Sequence, residues 1–245
     1  MRRFFLDKLI DNELVEIKGD QFLHMSKVLR FKEGDKFIAI CGDKKEYICQ
    51  IKRMDFDKCI SEVLEQRESQ TDALVDVTVF QACVKGDKFD LIIQKLSELG
   101  VSKIIPFDSD FSIAKCQEQK TERYNKIASE ACKQCRRTIP LIVEKPLKFS
   151  QIISKFDDFD LILFCNEHED ALSIKSAIAE FSPQNVALII GSEGGFSPRE
   201  IDTLLKTKAK SITLGKRILR AETAAIVSAA CVMLELGELG WKLQL

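Results

Sequence analysis

The fold is decided by residues 185–236, which read NVALIIGSEGGFSPREIDTLLKTKAKSITLGKRILRAETAAIVSAACVMLEL. This stretch begins with a short continuous apolar run, 186–190, which is typical of a strand that is covered on both faces. Gly191, Gly194 and Gly195 follow the run and allow backbone angles that other residues resist. The pattern therefore predicts a buried strand that ends in a sharp glycine turn.

A helix is expected to begin directly after the glycines. Ser197, Pro198 and Glu200 fit an N-cap, a first-turn proline and the third helical position of a capping box. Such a turn lies at the carboxyl end of a parallel strand, where open α/β sheets bind ligands. The turn lacks the sequence of a P-loop or a dinucleotide fold, and Glu193 would repel a phosphate but attract positive charge. A structural turn with a solvated glutamate is the alternative.

The second half of the stretch repeats this geometry. Residues 211–214 predict a short strand, and a loop rich in cations, including Arg217 and Arg220, leads into a final helix at 221–236. This helix is apolar almost all round, so we expect it to be buried on several sides. It is shorter than the roughly 20 residues that cross a bilayer. A homodimer interface is the expected second partner.

The composition is that of an ordinary globular protein with one large or two modest domains. The 245 residues are 45% hydrophobic and 31% charged, with a formal net charge of -1, so nucleic acid could be held only by local basic patches. No apolar run could span a membrane and no signal peptide is recognisable, which predicts a cytoplasmic location. The nine cysteines favour reduced thiols, and Cys132 with Cys135 lacks the further ligands of a zinc site. We expect no metal.

The chain divides into two predicted domains. Residues 1–70 contain several short alternating or apolar runs and one short helix, 21–29, with Asp20 as its N-cap, which predicts a small β-barrel or sandwich. Residues 73–245 open with a strand, a helix at 88–99 and a second strand. This βαβ order predicts a parallel sheet in an α/β domain.

Several motifs carry a family resemblance. IIGSEGGFSPREI and ITLGKRILRAETAAIVSAA closely resemble the C-terminal motifs of the SPOUT superfamily of RNA methyltransferases, and in particular the RsmE family, which methylates N3 of a uridine in 16S ribosomal RNA. QACVKGDKFDLIIQKLSELGVSKIIPF, ERYNKIASEACKQCRRTIP and HMSKVLRFKEGD extend the likeness to nearly the whole chain.

The resemblance implies both an architecture and an activity. The implied fold is a SPOUT-type α/β trefoil knot with a parallel sheet, which binds S-adenosylmethionine and dimerises, preceded by a small PUA-like β-barrel that binds RNA. The implied substrate is uridine 1498 of 16S ribosomal RNA, in the assembled small ribosomal subunit. The implied active unit is a homodimer.

The resemblance places the cofactor at the strand end near 163–165, the glycine turn and the loop at 214–219. The expected cofactor-binding residues are Leu163, Phe164, Cys165, Gly191, Glu193, Gly194, Gly195, Leu214, Gly215, Ile218, Leu219 and Thr223. Ser192 and Lys216 stand where the family often has proline. Without the fixed φ of proline these loops should be looser, so we expect a changed affinity and a retained activity.

Methyl transfer to uracil N3 requires positioning and charge stabilisation. The N3 proton must leave while negative charge spreads onto the flanking carbonyl oxygens, which a guanidinium would stabilise. We therefore assign Arg220 the charge-stabilising role and Glu222 a supporting role, because both stand where the cationic loop enters the last helix.

Six basic residues are candidates for RNA contacts. They are Arg2, Arg3, Lys27 and Arg30 in the first domain, and Arg136 and Arg137 after a predicted helix in the second. A solvated charged surface is the alternative for each of them.

Other functions fit parts of the sequence. Phe111 stands where the family usually has an arginine, and a non-catalytic RNA-binding or ribosome-assembly factor would be favoured if this change disabled the acceptor site. A SPOUT methyltransferase that acts on another RNA position is a second alternative. The missing phosphate motifs count against a small-molecule enzyme that uses a nucleotide.

Overall fold

The computed structural model describes residues 1–6, 9, 13–179 and 182–240. The chain forms two compact units. The first contains Met1–Asp72 and Arg136–Ile139, and the second contains Ala73–Cys135 and Pro140–Leu245. The sequence analysis assigned the segment Arg136–Ile139 to the second domain. Within the described ranges, no helix combines the length and the apolar character that crossing a membrane requires.

The first unit is built on one five-stranded sheet. Its strands are β1 (Arg3–Phe5), β2 (Leu14–Lys18), β3 (Lys36–Ile40), β4 (Lys45–Met54) and β5 (Lys58–Glu68). They lie in the order β1-β3-β4-β5-β2, with β1 parallel to β3 and the other neighbours antiparallel. Side chains such as Val15, Phe37 and Cys49 are wholly buried in a shared core. The predicted β-rich first domain is thus present.

The helical segment of this unit differs from the prediction. An α-helix, α1, covers Gly19–Leu23 and continues as a π-helix over His24–Val28. The sequence predicted a helix at 21–29 capped by Asp20, but Asp20 lies inside the first turn, and no side-chain hydrogen bond caps the helix. The π-helix buries Met25 completely. A search for 3.6-residue periodicity does not detect such a change of hydrogen-bond register.

The second unit contains a seven-stranded sheet. Its strands are β6 (Asp76–Ala82), β7 (Lys103–Asp108), β8 (Ile142–Val143), β9 (Leu147–Lys148), β10 (Leu161–Cys165), β11 (Asn185–Ile190) and β12 (Lys210–Ile212). Their order is β12-β10-β11-β6-β7-β8, and β9 pairs with β7. Every pairing is parallel, which confirms the predicted parallel sheet.

Helices cover both faces of this sheet. They are α2 (Lys88–Glu98), α3 (Thr121–Cys135), α4 (Phe149–Ile153), α5 (Ile174–Ile178), α6 (Pro198–Leu205) and α7 (Ala221–Glu235). Val186, Leu188 and Ile190 of β11 belong to one core with α2 and α7, whereas Ala187 and Ile189 belong to another core with α6. The apolar run of β11 is continuous because successive side chains enter two different cores.

Helix α7 packs through one face within the chain. Ala221, Ala225 and Ala229 recur every fourth residue and are buried in the core. Leu234 is 56% exposed and Cys231 is half-buried, although both are apolar. The predicted burial on several sides is therefore only partly supplied by a single chain.

Cys83 and Cys116 form a disulfide, with their Cα atoms 5.5 Å apart. Cys83 follows β6 and Cys116 lies in the loop after the neighbouring strand β7, where Asp108 also offers an oxygen within 4.8 Å of both sulfur atoms. The other seven cysteines, all of them in the described ranges, form no disulfide. The prediction of reduced thiols throughout is wrong at this pair, because the adjacency of two strand ends, which sequence spacing does not reveal, brings the sulfur atoms together.

Counting thiols tests the disulfide. Alkylation of the denatured protein should modify seven cysteines before reduction and all nine after it, as measured by intact mass. Cys83→Ser is the control, because it should give the same count with and without reduction. Nine modified cysteines before reduction would contradict the disulfide.

Candidate active site

Three loops of the second unit form one cavity at the carboxyl edge of the sheet. They follow β10, β11 and β12, and the start of α7 completes the wall. The lining residues are Cys165, Asn166, Glu167, His168, Ile190, Gly191, Ser192, Glu193, Gly195, Phe196, Ile201, Thr213, Leu214, Gly215, Lys216, Arg217, Ile218, Leu219, Ala221 and Ala224. This is the position at which parallel α/β sheets bind ligands.

Eight of the twelve predicted cofactor-binding residues line this cavity, namely Cys165, Gly191, Glu193, Gly195, Leu214, Gly215, Ile218 and Leu219. The other four do not. Leu163 and Phe164 are wholly buried in the two cores, so their side chains support the strand and do not face the cavity. Gly194 lies against Phe111, and Thr223 is exposed on α7.

The family resemblance places Asn166 and Glu167, together with Cys165, in the cofactor pocket, whereas His168 was not predicted there. Asn166, Glu167 and His168 all line the cavity. The Nδ2 of Asn166 donates a hydrogen bond to Ser211 Oγ at 3.2 Å, which fixes the loop to β12. The sequence carried a signal for His168 as well, because polar side chains directly after a buried strand lie at the ligand-binding edge of a parallel sheet.

The glycine turn is tight because its two ends nearly touch. The Gly195 N–H donates to the Ser192 carbonyl at 3.0 Å, and the φ angle of Gly195 is +70°. A Cβ atom on Gly191 would lie 3.0 Å from the carbonyl carbon of Gly195. The close approach therefore requires glycine at 191, and the left-handed backbone favours glycine at 195. The predicted sharp turn is confirmed.

The capping box predicted at α6 is present. Ser197 Oγ accepts a hydrogen bond from the Glu200 N–H at 3.2 Å, and Glu200 Oε2 accepts one from the Ser197 N–H at 2.9 Å. Glu200 is wholly buried, and its carboxylate also accepts bonds from Ser109 Oγ at 3.1 Å and the Asp110 N–H at 3.0 Å. One buried carboxylate therefore joins the loop after β7 to the start of α6.

The loop after β7 also meets the glycine turn. Arg199 donates a hydrogen bond to Asp110 at 2.7 Å, and Ser197 Oγ donates one to it at 2.6 Å. Both bonds lower the pKa of the Asp110 carboxyl, and the bond from Arg199 has the larger effect. Phe111 is 47% exposed, and its Cβ would lie 3.1 Å from a Cβ built on Gly194. Phe111 therefore packs beside the turn. The guanidinium that binds Asp110 comes from Arg199.

Glu193 is held by the loop between β6 and α2. Its Oε1 accepts hydrogen bonds from the Lys85 backbone N–H at 3.0 Å and from Lys88 Nζ at 3.1 Å. Burial alone would raise the pKa of this carboxyl, but the two donors outweigh burial and lower it. Glu193 is therefore ionised at neutral pH and brings negative charge to the cavity wall.

The two predicted catalytic residues are not among the residues that line the cavity, but they stand on either side of Ala221, which does line it, and their environments differ. Arg220, the N-cap residue of α7, is exposed and pairs with no side chain in the described part of the chain. Glu222 lies in the first turn of α7 with a side chain that is only 12% exposed. Its Oε2 is buried and accepts no hydrogen bond from any described residue. A buried carboxylate oxygen without a donor is costly, so this atom indicates where a ligand should donate.

Cys165 also lines the cavity, but its thiol is not a reactive group. Burial raises the pKa of its thiol to about 12, against a smaller opposing effect of a hydrogen bond with Ser228. The thiol therefore stays protonated at neutral pH and does not supply a thiolate nucleophile.

The six candidates for RNA contacts all lie in the first unit. Arg2, Lys27, Arg30 and Arg136 are exposed, and RNA contact stays a prediction for these four. Arg30 and Arg136 have φ angles of 55° and 69°, so both side chains leave the backbone at left-handed positions.

Arg3 and Arg137 require a correction, because both guanidinium groups are used inside the first unit. Arg3 forms an ion pair with Glu46 and donates to the Arg136 carbonyl. Arg137 is only 5% exposed, and its Nε lies 3.7 Å from Asp72 Oδ1. The buried Arg137 side chain does not meet an RNA phosphate, and Arg3, whose side chain is 14% exposed, gives its guanidinium to Glu46 instead, so we no longer assign these two residues to RNA binding.

The chain is similar to known proteins along nearly its whole length. A family model described as an RNA methyltransferase domain matches residues 71–233, and one described as an RNA methyltransferase PUA domain matches residues 17–64. Proteins named Ribosomal RNA small subunit methyltransferase E are similar to it. The one from Bacillus subtilis is 30% identical over 246 residues (95% of this chain, 96% of the relative), and the one from Rickettsia conorii is 34% identical over 239 residues (95% of each).

A solved structure is similar to the chain as well. It is a putative methyltransferase from Legionella pneumophila in complex with the bound cofactor SAM, with a TM-score of 0.79 and 27% identity. The match covers 95% of this chain and 96% of that one.

Replacing Glu200 tests the buried junction between the β7 loop and α6. In Glu200→Gln the amide NH₂ must face at least one N–H or O–H donor, so we expect unfolding to become easier by about 1–3 kcal/mol. The measurement is urea denaturation followed by circular dichroism. Asp202→Asn is the control on the same helix, because its carboxylate is 66% exposed and, among the described residues, pairs only with Lys206. It should cost no more than about 0.5 kcal/mol. Equal costs for the two variants would contradict the role of Glu200.

Proposed function

Since the chain belongs to the RNA methyltransferase family, with its methyltransferase domain at 71–233 and its PUA domain at 17–64, we propose that it methylates N3 of a uridine in 16S ribosomal RNA. The family membership confirms the predicted combination of an α/β methyltransferase fold with a PUA-like domain. The observation that carries the proposal is the buried Oε2 of Glu222, which accepts no hydrogen bond from the described residues and lies two residues from the exposed Arg220.

The methyl donor in this proposal is S-adenosylmethionine. The donor supplies a methyl group on a positively charged sulfonium, for which the carboxylates of Glu167 and Glu193 are the anionic partners in a cavity that Lys216 and Arg217 also line. The structure of the Legionella pneumophila relative with bound SAM supports the same choice. Backbone groups of the glycine turn and of the loop containing Leu214 and Gly215 would bind the adenine and ribose.

The proposed chemistry assigns one task to each of two side chains. Uracil N3 carries a proton that must leave as the N3–C bond forms, and Glu222 Oε2 can accept it because no described residue donates to this atom. The negative charge that spreads onto the two carbonyl oxygens beside N3 is stabilised by the Arg220 guanidinium. This gives Glu222 a larger role than the supporting one that we assigned from the sequence.

The identity of the uridine as 1498, and its place in the assembled small subunit, are the finer parts of the proposal. They rest on the resemblance to the RsmE family and on relatives named Ribosomal RNA small subunit methyltransferase E. A cytoplasmic location and the trefoil knot are proposed on the same grounds.

Binding without catalysis is the alternative function. Phe111 favours it, because this residue packs beside the glycine turn at the position where the family usually has an arginine. Methylation of another RNA position is the second alternative. A methyl-transfer assay on ribosomal RNA distinguishes the proposed function from both alternatives.

The proposed active unit is a homodimer joined through α7. The helix buries its alanine face within the chain, whereas Leu234 is 56% exposed and Ile226 and Cys231 are half-buried. A second copy of the chain would cover these apolar side chains.

A charge on the open face of α7 tests the dimer. Leu234→Glu should shift the protein from dimer to monomer, because a buried unpaired carboxylate destabilises an interface. Light scattering after size-exclusion chromatography measures the mass. Leu205→Glu is the control, since Leu205 is 57% exposed on α6 and should leave the dimer intact. A monomeric wild-type protein, or a dimeric Leu234→Glu variant, would rule out this interface.

A methyl-transfer assay tests the function itself. The protein should transfer methyl groups from S-adenosylmethionine to 16S ribosomal RNA or small subunits, and mass spectrometry should locate N3-methyluridine. Arg220→Ala should lower kcat by about 100- to 1,000-fold, the usual cost of removing a donor to a developing oxyanion.

The controls separate the alternatives. Arg123→Ala should keep the wild-type rate, because Arg123 pairs with Asp90 outside the cavity. Calorimetry should detect S-adenosylhomocysteine binding to the wild type and to both variants. RNA binding without any methylation would support the non-catalytic alternative. A mark on another atom or nucleotide would change the acceptor, and full activity of Arg220→Ala would remove the role given to this residue.

A further inference from the structure

We propose that Lys88 is a positioning residue that holds the glycine turn and the proton acceptor together by pairing with Glu193 and Glu222. Its Nζ lies 3.1 Å from Glu193 Oε1 and 3.7 Å from Glu222 Oε2. The inference rests on the proposed function, because it concerns the arrangement in which Glu222 accepts the N3 proton. The sequence analysis placed Lys88 only at the start of a helix.

Lys88 joins two elements that carry the site. Glu193 belongs to the glycine turn after β11, and Glu222 belongs to the first turn of α7. Among the described residues, Lys88 is the only cationic side chain that forms an ion pair with either carboxylate. Without this ammonium group the two negative charges would face each other across a partly buried space, which favours separation or neutralisation.

The position of Lys88 is fixed from its own side of the site. The backbone N–H of Lys85 donates to the same Glu193 oxygen at 3.0 Å, so the loop between β6 and α2 contacts the turn at two points. Gly86, between these contacts, has a φ angle of +63°, which bends the loop. The Lys88 side chain is 32% exposed. It is therefore partly buried and differs from a fully solvated surface lysine.

The two ion pairs of Lys88 differ in a way that suits the proposed reaction. The contact with Glu193 is a hydrogen bond, whereas the contact with Glu222 at 3.7 Å is an ion pair without a hydrogen bond. The ammonium group thus lies beside Glu222 but leaves its Oε2 without a donor. A substrate N3–H can then donate to an acceptor that the ion pair has oriented.

Kinetics of three variants test this role. Lys88→Met keeps the length of the side chain and removes the charge, and we expect kcat to fall by about 10- to 100-fold, as misplaced reacting groups do. The acid limb of the pH profile of kcat should move to higher pH, because Lys88→Met removes a donor that lowers the pKa of the neighbouring Glu193 carboxyl. The KM for RNA should stay within about threefold, since binding of the RNA is not the function affected.

Two further variants serve as controls. Lys88→Arg should recover most of the rate and the pH profile, because the guanidinium keeps a cation within reach of both carboxylates. Lys95→Met is the matched control on the same helix, since in the described part of the chain Lys95 pairs only with Glu98 and lies outside the cavity. It should leave the rate and the pH profile unchanged. A purely structural role of Lys88 would lower the amount of folded protein without shifting the acid limb.

Carboxyl NMR gives a readout that needs no turnover. In protein with ¹³C-labelled glutamate side chains, the pKa of Glu193 should rise in Lys88→Met and keep its wild-type value in Lys95→Met. If the Lys88→Met variant does not fold, Lys88→Gln is used in its place. If the wild type is inactive but the Glu193 pKa still rises in Lys88→Met, the proposed function is removed and the pairing stands. An active wild type whose Lys88→Met variant keeps its kcat, acid limb and Glu193 pKa would overturn the inference and leave the function standing.

Discussion

The parallel pairing of strands in the second unit is the constraint on which the site depends. Every pairing in its seven-stranded sheet is parallel, so the carboxyl ends of β10, β11 and β12 share one edge. The three loops that follow these strands line one cavity although they are far apart in sequence, and the loop after β6 contacts the glycine turn from the side. This order persists because both faces of the sheet are covered by apolar cores.

Features that lie within one element could be predicted from the sequence. The apolar run of β11, the close glycines at 191 and 195 and the capping box at Ser197 each depend on residues within a few positions of one another, so their chemistry is visible in the local pattern. The failures involve segments that are distant in sequence. Cys83 meets Cys116 because β6 and β7 are neighbours, and Arg137 is buried because its segment returns to Asp72. Neither contact produces a periodicity or a residue spacing that can be recognised in the sequence.

The candidate site could likewise be predicted from the sequence only in part. The family resemblance located the right strand ends, but it could not separate side chains that face the cavity from Leu163 and Phe164, which enter the cores on either side of β10. Lys88 was missed for a related reason. Its position at the start of an amphipathic helix is typical of a solvated lysine, and only the folded sheet brings it to Glu193 and Glu222.

The unsatisfied oxygen of Glu222 has a consequence for the choice of base under the proposed reaction. A buried acceptor without a donor costs the free protein about 1–3 kcal/mol, and a ligand that donates to it recovers this free energy. Uracil carries a hydrogen on N3, whereas cytosine presents a lone pair there. Cytosine would place this lone pair against the Glu222 carboxylate and leave the acceptor unsatisfied. A site built around a hydrogen bond rejects an analogue that lacks the donor far more strongly than an apolar pocket rejects a change of shape. The atom that accepts the proton would therefore also select the base, and Lys88 would serve both tasks because its ammonium group lies 3.7 Å from that atom without donating a hydrogen bond to it.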